Sequence, residues 1–103
     1  MPVPLVPRGG DWTDAEMAEI DRLRAVCQRS QDWELECDHT DAGDPWCVIY
    51  DRDHNQIVFH IARIDRSYVI VFPMRQWSTR TLTLSAAVDN SLEELRALAP
   101  GIG

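Results

Sequence analysis

The chain has 103 residues, of which 45% are hydrophobic and 26% are charged, and it carries a net charge of −7. This length allows one domain with a single core, and the composition is that of a globular protein rather than a disordered one. All ten basic residues are arginine, which excludes a lysine Schiff base, a lysine general base and a lysine-containing phosphate loop.

The negative charge is concentrated in the first half of the chain. Thirteen of the 17 acidic residues lie between Asp11 and Asp53, whereas the segment after residue 54 is slightly basic. Clustered basic residues are what bind a phosphate backbone, so we expect no direct contact with nucleic acid and a protein partner that is basic. No cofactor is expected.

The N-terminus and the cysteines predict where in the cell the protein is found. Neither a secretory leader nor a membrane-length apolar run is evident, and the cysteine count is odd. We therefore expect a cytoplasmic protein without a membrane partner, whose thiols at Cys27, Cys37 and Cys47 are reduced.

Residues 1–10 alternate proline with small and apolar residues, which predicts a flexible arm before a single domain over residues 11–103. The first helix then has an explicit start, because Thr13 and Glu16 match a capping box. An apolar stripe at helical spacing follows, and it predicts a helix over Asp14–Arg29. The stripe comprises Met17, Ile20, Leu23 and Cys27.

Four apolar runs follow, separated by turn-forming residues, and they indicate an antiparallel meander. The first run alternates with Glu34, Glu36 and Asp38, as expected of an edge strand with one face in solvent. The predicted strands cover residues 33–37, 46–50, 57–64 and 68–72.

The C-terminal part predicts a second helix. Pro73 should end the sheet, residues 81–84 are an optional short fifth strand, and a helix should follow from Ser85. Ser91 and Glu94 form a second capping-box candidate if that helix begins late. The fold class is therefore α+β: an N-terminal helix, a four-stranded antiparallel meander and a C-terminal helix.

The later strands carry apolar residues on both alternating sets, which is typical of a sheet covered on both faces. Two helices cover one face, so the second requires the C-terminal segment, the arm or another subunit. We expect a homodimer, with the large aromatic residues Trp46, Tyr68 and Trp77 as candidate contacts.

Cys37, His39 and Cys47 are candidate zinc ligands, because residues two apart point to the same strand face and a residue of the neighbouring strand could complete the set. They lack the paired knuckles of structural zinc sites, so ordinary thiols are the favoured interpretation.

Two further motifs have structural interpretations. Asp51, Asp53 and Asn55 begin like a calcium loop, but Gln56 and Ala62 replace its essential glycine and glutamate, which favours a turn. We interpret His60 as a sheet histidine, and no catalytic residue is assigned.

The segments GDPW (residues 43–46) and HIARIDRSYV (residues 60–69) resemble those of a group of small uncharacterised bacterial proteins. That resemblance covers about forty residues and implies a bacterial origin and a recurring small domain. It implies no activity.

The sequence thus favours a small non-enzymatic protein-interaction or regulatory domain. One alternative is an acidic inhibitor that mimics nucleic acid on a partner protein, and another is a small metal-binding or hydrolytic protein. The mimicry would use Glu34, Glu36, Asp38, Asp41 and Asp44.

Overall fold

The computed structural model describes residues 11–53 and 55–98, which form an α+β fold with one antiparallel sheet. The strands lie in the sheet in their chain order, so the sheet is a meander. The elements are α1 (Asp14–Arg29), β1 (Trp33–His39), β2 (Pro45–Asp51), β3 (Gln56–Ile64), β4 (Ser67–Phe72), β5 (Trp77–Thr81) and α2 (Leu84–Leu98). The predicted arm over residues 1–10 lies outside the described residues.

The start of α1 confirms the capping box. The Thr13 amide donates to Glu16 Oε1 at 2.9 Å, and the Glu16 amide donates to Thr13 Oγ1 at 3.2 Å. These bonds satisfy two amides that the first helical turn otherwise leaves unpaired. The helix therefore begins and ends at the residues that the sequence predicted.

The four predicted strands are present, and β1 is an edge strand as expected. In the turn between β2 and β3, the Asp53 amide donates to Asp51 Oδ1 at 2.9 Å, so Asp51 has the turn-forming role assigned to it. Gly43, in the turn between β1 and β2, has a φ of +90°, a conformation that glycine adopts without strain.

The fifth strand exists, but it lies earlier than residues 81–84. Pro73–Arg75 form a single 3₁₀ turn, and Gln76 then adopts the left-handed conformation with a φ of 52°. This tight reversal returns the chain to the sheet at Trp77, so Pro73 ends β4 and not the sheet.

The helix α2 begins at Leu84, one residue before the predicted Ser85, so the late start that the capping-box candidate Ser91 and Glu94 required does not occur. Thr83 Oγ1 accepts from the Ala86 amide at 3.1 Å, which is the bond of an N-cap residue. Ser91 lies inside the helix, and its hydroxyl donates to the Ala87 carbonyl at 2.8 Å.

Both helices pack on one face of the sheet and against each other. The core between them includes Leu23, Val88, Phe59, Ile70 and Phe72. The predicted C-terminal helix therefore does not cover the second face. No helix in the described part of the chain is long and apolar enough to cross a membrane.

Candidate functional site

The sheet face opposite the helices carries a group of apolar residues outside the core. Directly opposite residues on antiparallel strands share a face, and Val48, His60 and Val71 form one such row across β2, β3 and β4. Their sequence neighbours Cys47, Ile49 and Ile61 point into the core instead. We call the second face the open face; it comprises Trp46, Val48, Tyr50, Ile57, His60, Ala62, Ile64, Val69 and Val71.

The open face has buried centres and exposed ends. Val48 and Ala62 are buried, whereas Ile57 and Ile64 are 47% and 39% exposed. At one end of the face, Val48, Tyr50 and Ile57 join Glu36 and Asn55 to line a shallow hollow of about 330 Å³. The face is thus apolar and contoured, a surface that suits contact with another protein.

His60 lies at the middle of the open face, on the central strand β3. Its ring centroid is 6.1 Å from that of Trp46. Burial lowers the pKa of His60, because desolvation disfavours the imidazolium. The imidazole is therefore neutral at pH 7, and the centre of the face carries no charge.

Opposite charges lie at the two edges of the open face. Glu34, Glu36 and Asp38 of β1 lie opposite Tyr50, Val48 and Trp46, and we call these three acids the acidic row. Glu34 forms an ion pair with Arg52, with Oε2 3.3 Å from Nε.

At the other edge, on β5, Arg80 lies opposite Val69. Within residues 11–53 and 55–98, Arg80 is exposed and forms no ion pair. The open face therefore has three acidic residues along one edge and the single basic residue Arg80 at the other.

The structure separates the three aromatic contact candidates. Trp46 lies on the open face, but Tyr68 and Trp77 lie on the helix side of the sheet. Tyr68 is 4% exposed, and Trp77 packs against Phe72 with ring centroids 5.1 Å apart. The three aromatic residues do not form one surface, because Trp46 points to the opposite side of the sheet from Tyr68 and Trp77.

The acidic candidates are also divided. Asp41 and Asp44 lie in the turn between β1 and β2, where the Asp44 carbonyl accepts from the Thr40 amide at 2.9 Å. The acidic row alone belongs to the open face.

Cys37 and Cys47 are directly opposite one another on β1 and β2, on the helix side of the sheet. The His39 ring lies at the exposed end of β1, with Nδ1 3.0 Å from Asp38 Oδ1. In the part of the chain that the structure describes, no three or more His, Cys, Asp and Glu side chains are grouped as metal ligands.

The sequence reasoning missed a buried polar cluster of Glu16, Arg63 and Tyr68, which we call the polar cluster. Arg63 Nε and Nη2 donate to Glu16 Oε2 and Oε1, both at 3.1 Å, and the Tyr68 hydroxyl donates to Oε2 at 2.6 Å. Arg63 Nη2 also donates to the Asp11 carbonyl at 2.8 Å, and its guanidinium lies 5.8 Å from the Trp12 ring centroid. The cluster joins the first turn of α1 to β3 and β4.

The polar cluster is a structural feature. Arg63 is 2% exposed, and its charge is matched by the Glu16 carboxylate that also completes the capping box. Burial raises the pKa of the Tyr68 phenol, and the hydrogen bond to Glu16 raises it further. One signal was available, since the inward-facing set of β3 is apolar except at residue 63.

Comparisons with known proteins add no assignment. No protein-family model matches the chain, and no curated protein and no solved structure matches it. The function must therefore be argued from the surfaces of the molecule itself.

Proposed function

We propose that this protein is a non-enzymatic interaction domain of the cytoplasm that uses the open face to bind a second copy of itself. The observation that carries the proposal is an apolar sheet face with the acidic row at one edge and Arg80 at the other. Contiguous exposed apolar patches on small domains commonly mark interaction sites.

Charge favours one arrangement of the two copies. A two-fold axis in the interface and parallel to the strands places β1 of one copy over β5 of the other, so that the acidic row faces Arg80. An axis perpendicular to the strands in the same plane would place the two acidic rows against each other, which is repulsive. The first arrangement forms the same complementary contact twice.

The size of the face limits the affinity. Five strands spaced by about 4.8 Å and about 20 Å in length give roughly 500 Å² per copy, or roughly 1,000 Å² in total. This area is at the lower end for a specific interface. We therefore expect a reversible dimer with a dissociation constant of about 1–100 µM.

Sedimentation equilibrium tests the interface with a matched pair of substitutions. Val71→Asp puts a carboxylate at the centre of the open face, where Val71 is half-buried in the single chain, and should leave only monomer. Leu82→Asp makes the same kind of change at an exposed residue outside the sheet and should leave the dimer intact. A wild-type chain that is monomeric at about 500 µM would exclude the proposal, given the expected affinity.

A charge exchange tests the orientation. Asp38 and Arg80 end the same row across the sheet, so the axis parallel to the strands brings them together. Asp38→Arg or Arg80→Glu alone should weaken the dimer by roughly 3-fold to 10-fold, since each replaces an attraction with a repulsion. The double variant should recover most of the loss, because the exchanged charges face each other across the two-fold axis. Losses that simply add in the double variant would contradict this orientation.

The acidic row also favours a second function, inhibition of a nucleic-acid-binding protein by mimicry. Its three charges are spaced by about 6.8 Å, two residues along an extended strand, whereas each strand of duplex DNA has one phosphate per roughly 3.4 Å of axis. This lower charge density makes self-association the better supported function. Ionic strength distinguishes the two functions. The affinity of a nucleic-acid mimic for its partner falls steeply as salt is added, whereas the affinity of an apolar interface does not.

A further inference from the structure

Cys37 and Cys47 have the backbone geometry that a cross-strand disulfide requires. In the register of β1 and β2, the Thr40 amide donates to the Asp44 carbonyl and the Arg52 amide donates to the Asp32 carbonyl, both at 2.9 Å. Directly opposite pairs alternate between hydrogen-bonded and non-hydrogen-bonded types. Cys37 is three residues from Thr40 and five residues from Asp32 along the strand, and both numbers are odd. Cys37 and Cys47 are therefore a non-hydrogen-bonded pair.

Residues of a non-hydrogen-bonded pair have Cα atoms about 4.5 Å apart, within the range of about 4.4–6.8 Å seen across disulfides. Their Cβ atoms lie toward the near end of the range of about 4.5–5.5 Å for opposite residues, just beyond the usual 3.5–4.5 Å in a disulfide. Bond formation therefore requires only a small approach of the edge strand β1 toward β2. A bond that draws the strands together in this way should also be readily reduced.

The two thiols differ in exposure and acidity. Cys37 is exposed on the edge strand, whereas Cys47 is fully buried in the core. The neighbouring Cys47 thiol lowers the pKa of Cys37 to about 7, and the closeness of Cys37, together with burial, raises the pKa of Cys47. Burial raises the pKa of the third thiol, Cys27, to about 11. Cys37 is thus the accessible thiolate, and Cys47 is a second thiol held beside it.

We propose that Cys37 and Cys47 are a reversible redox site that peroxide converts into an intramolecular disulfide. The Cys37 thiolate attacks one oxygen of hydrogen peroxide; the S–O bond forms, the O–O bond breaks and hydroxide leaves. Cys47 sulfur then attacks the Cys37 sulfenic acid; the S–S bond forms, the S–O bond breaks and the oxygen leaves as water with the Cys47 proton. The two thiols lose two electrons in total, and the peroxide gains them.

This inference is independent of the proposed function, because both cysteines lie on the helix side of the sheet and the reaction occurs within one chain. The disulfide closes the loop from Cys37 to Cys47 and ties the edge strand to its neighbour. It should raise the thermal midpoint by about 10 °C, and a thiol reductant should reverse the rise.

Mass spectrometry of the peroxide-treated chain tests the reaction. The expected product has lost two hydrogen atoms and remains monomeric on a non-reducing gel. Trypsin leaves both cysteines in one peptide, residues 30–52, because no arginine or lysine separates them. Cleavage at aspartate does separate them, since Asp38, Asp41 and Asp44 lie between, so the two fragments should remain joined until reduced.

Two variants identify the thiols. Cys27→Ala should form the same disulfide, whereas Cys47→Ala should stop at the Cys37 sulfenic acid, which a 1,3-dione labels. The alkylation rate of Cys37 in the wild-type chain should have a midpoint near pH 7, and this midpoint should move upward in Cys47→Ala, because the neighbouring thiol that lowers the pKa of Cys37 is lost. A disulfide that needs Cys27, or peroxide-treated wild-type chain that keeps all its thiol hydrogens, would overturn the proposal.

Discussion

The substitution Glu16→Gln is expected to destabilise the protein far more than an ordinary surface change. Gln has the same size, and its carbonyl oxygen can still accept from the Thr13 amide, so the helix cap survives. What is lost is the negative charge that faces Arg63, a side chain that is 2% exposed and held by two bonds to Glu16. The substitution removes the Glu16 carboxylate from beside a buried cation.

Removing one partner of a buried ion pair costs about 3–5 kcal/mol. Arg63 keeps its bond to the Asp11 carbonyl and its contact with the Trp12 ring, so the lower half of this range applies. A domain of this size has a free energy of unfolding of about 5–15 kcal/mol, so the loss is a large fraction of it. The paired change Glu16→Gln with Arg63→Met should cost less than Glu16→Gln alone, because no buried charge remains and Gln still accepts from the Thr13 amide.

Urea unfolding followed by circular dichroism measures the effect. For a slope of about 1.5 kcal/mol/M, a loss of about 3 kcal/mol lowers the midpoint by about 2 M. Glu19→Gln is the matched control, since Glu19 is on the same helix but pairs with Arg22 at the surface, and it should cost less than about 1 kcal/mol. Equal losses for the two variants would show that Arg63 does not depend on Glu16.

Two other measurements examine the polar cluster and a turn. The native state holds the Tyr68 pKa above its ordinary value of about 10, so the unfolded chain loses the phenol proton first and the free energy of unfolding should fall as pH rises above about 10. In Tyr68→Phe, the urea midpoint should fall less steeply with pH. An unchanged slope would show that Tyr68 does not cause the decline. Asp65 and Arg66 form the two-residue turn between β3 and β4, with φ of 50° and 63°. Glycine adopts positive φ without strain, so Arg66→Gly should raise the thermal midpoint by about 4 °C. A lower midpoint would show that the turn is not strained at Arg66.

Local signals predicted most of the fold. The bounds of α1 follow from a capping box and an apolar stripe, and both operate within a few residues of chain. The fifth strand was misplaced because its start depends on the left-handed conformation of Gln76. Glycine is the residue that usually indicates this conformation, and residue 76 is not a glycine. The late capping box failed for a similar reason, since Thr83 is an equally good N-cap.

The sites were harder to predict, because they depend on register and on distant partners. Glu16 and Arg63 are 47 residues apart, and no local pattern connects them. The register of the strands determines the sheet face on which Tyr68 and Trp77 lie. The sequence does not determine that face, because both alternating sets of residues in the strand are apolar. Cys37 and Cys47 were both considered as metal ligands, and only the register of β1 and β2 makes them a pair.

The meander also determines the order in which the molecule assembles. Each strand pairs only with its neighbours in the chain, so the sheet can grow by closing short loops, which is fast. The bond between Glu16 and Arg63 closes a far longer loop and should form after the folding transition state. Stopped-flow measurements should then find that Glu16→Gln accelerates unfolding and leaves the folding rate almost unchanged. In that case the polar cluster controls how long the folded state lasts rather than how quickly it forms.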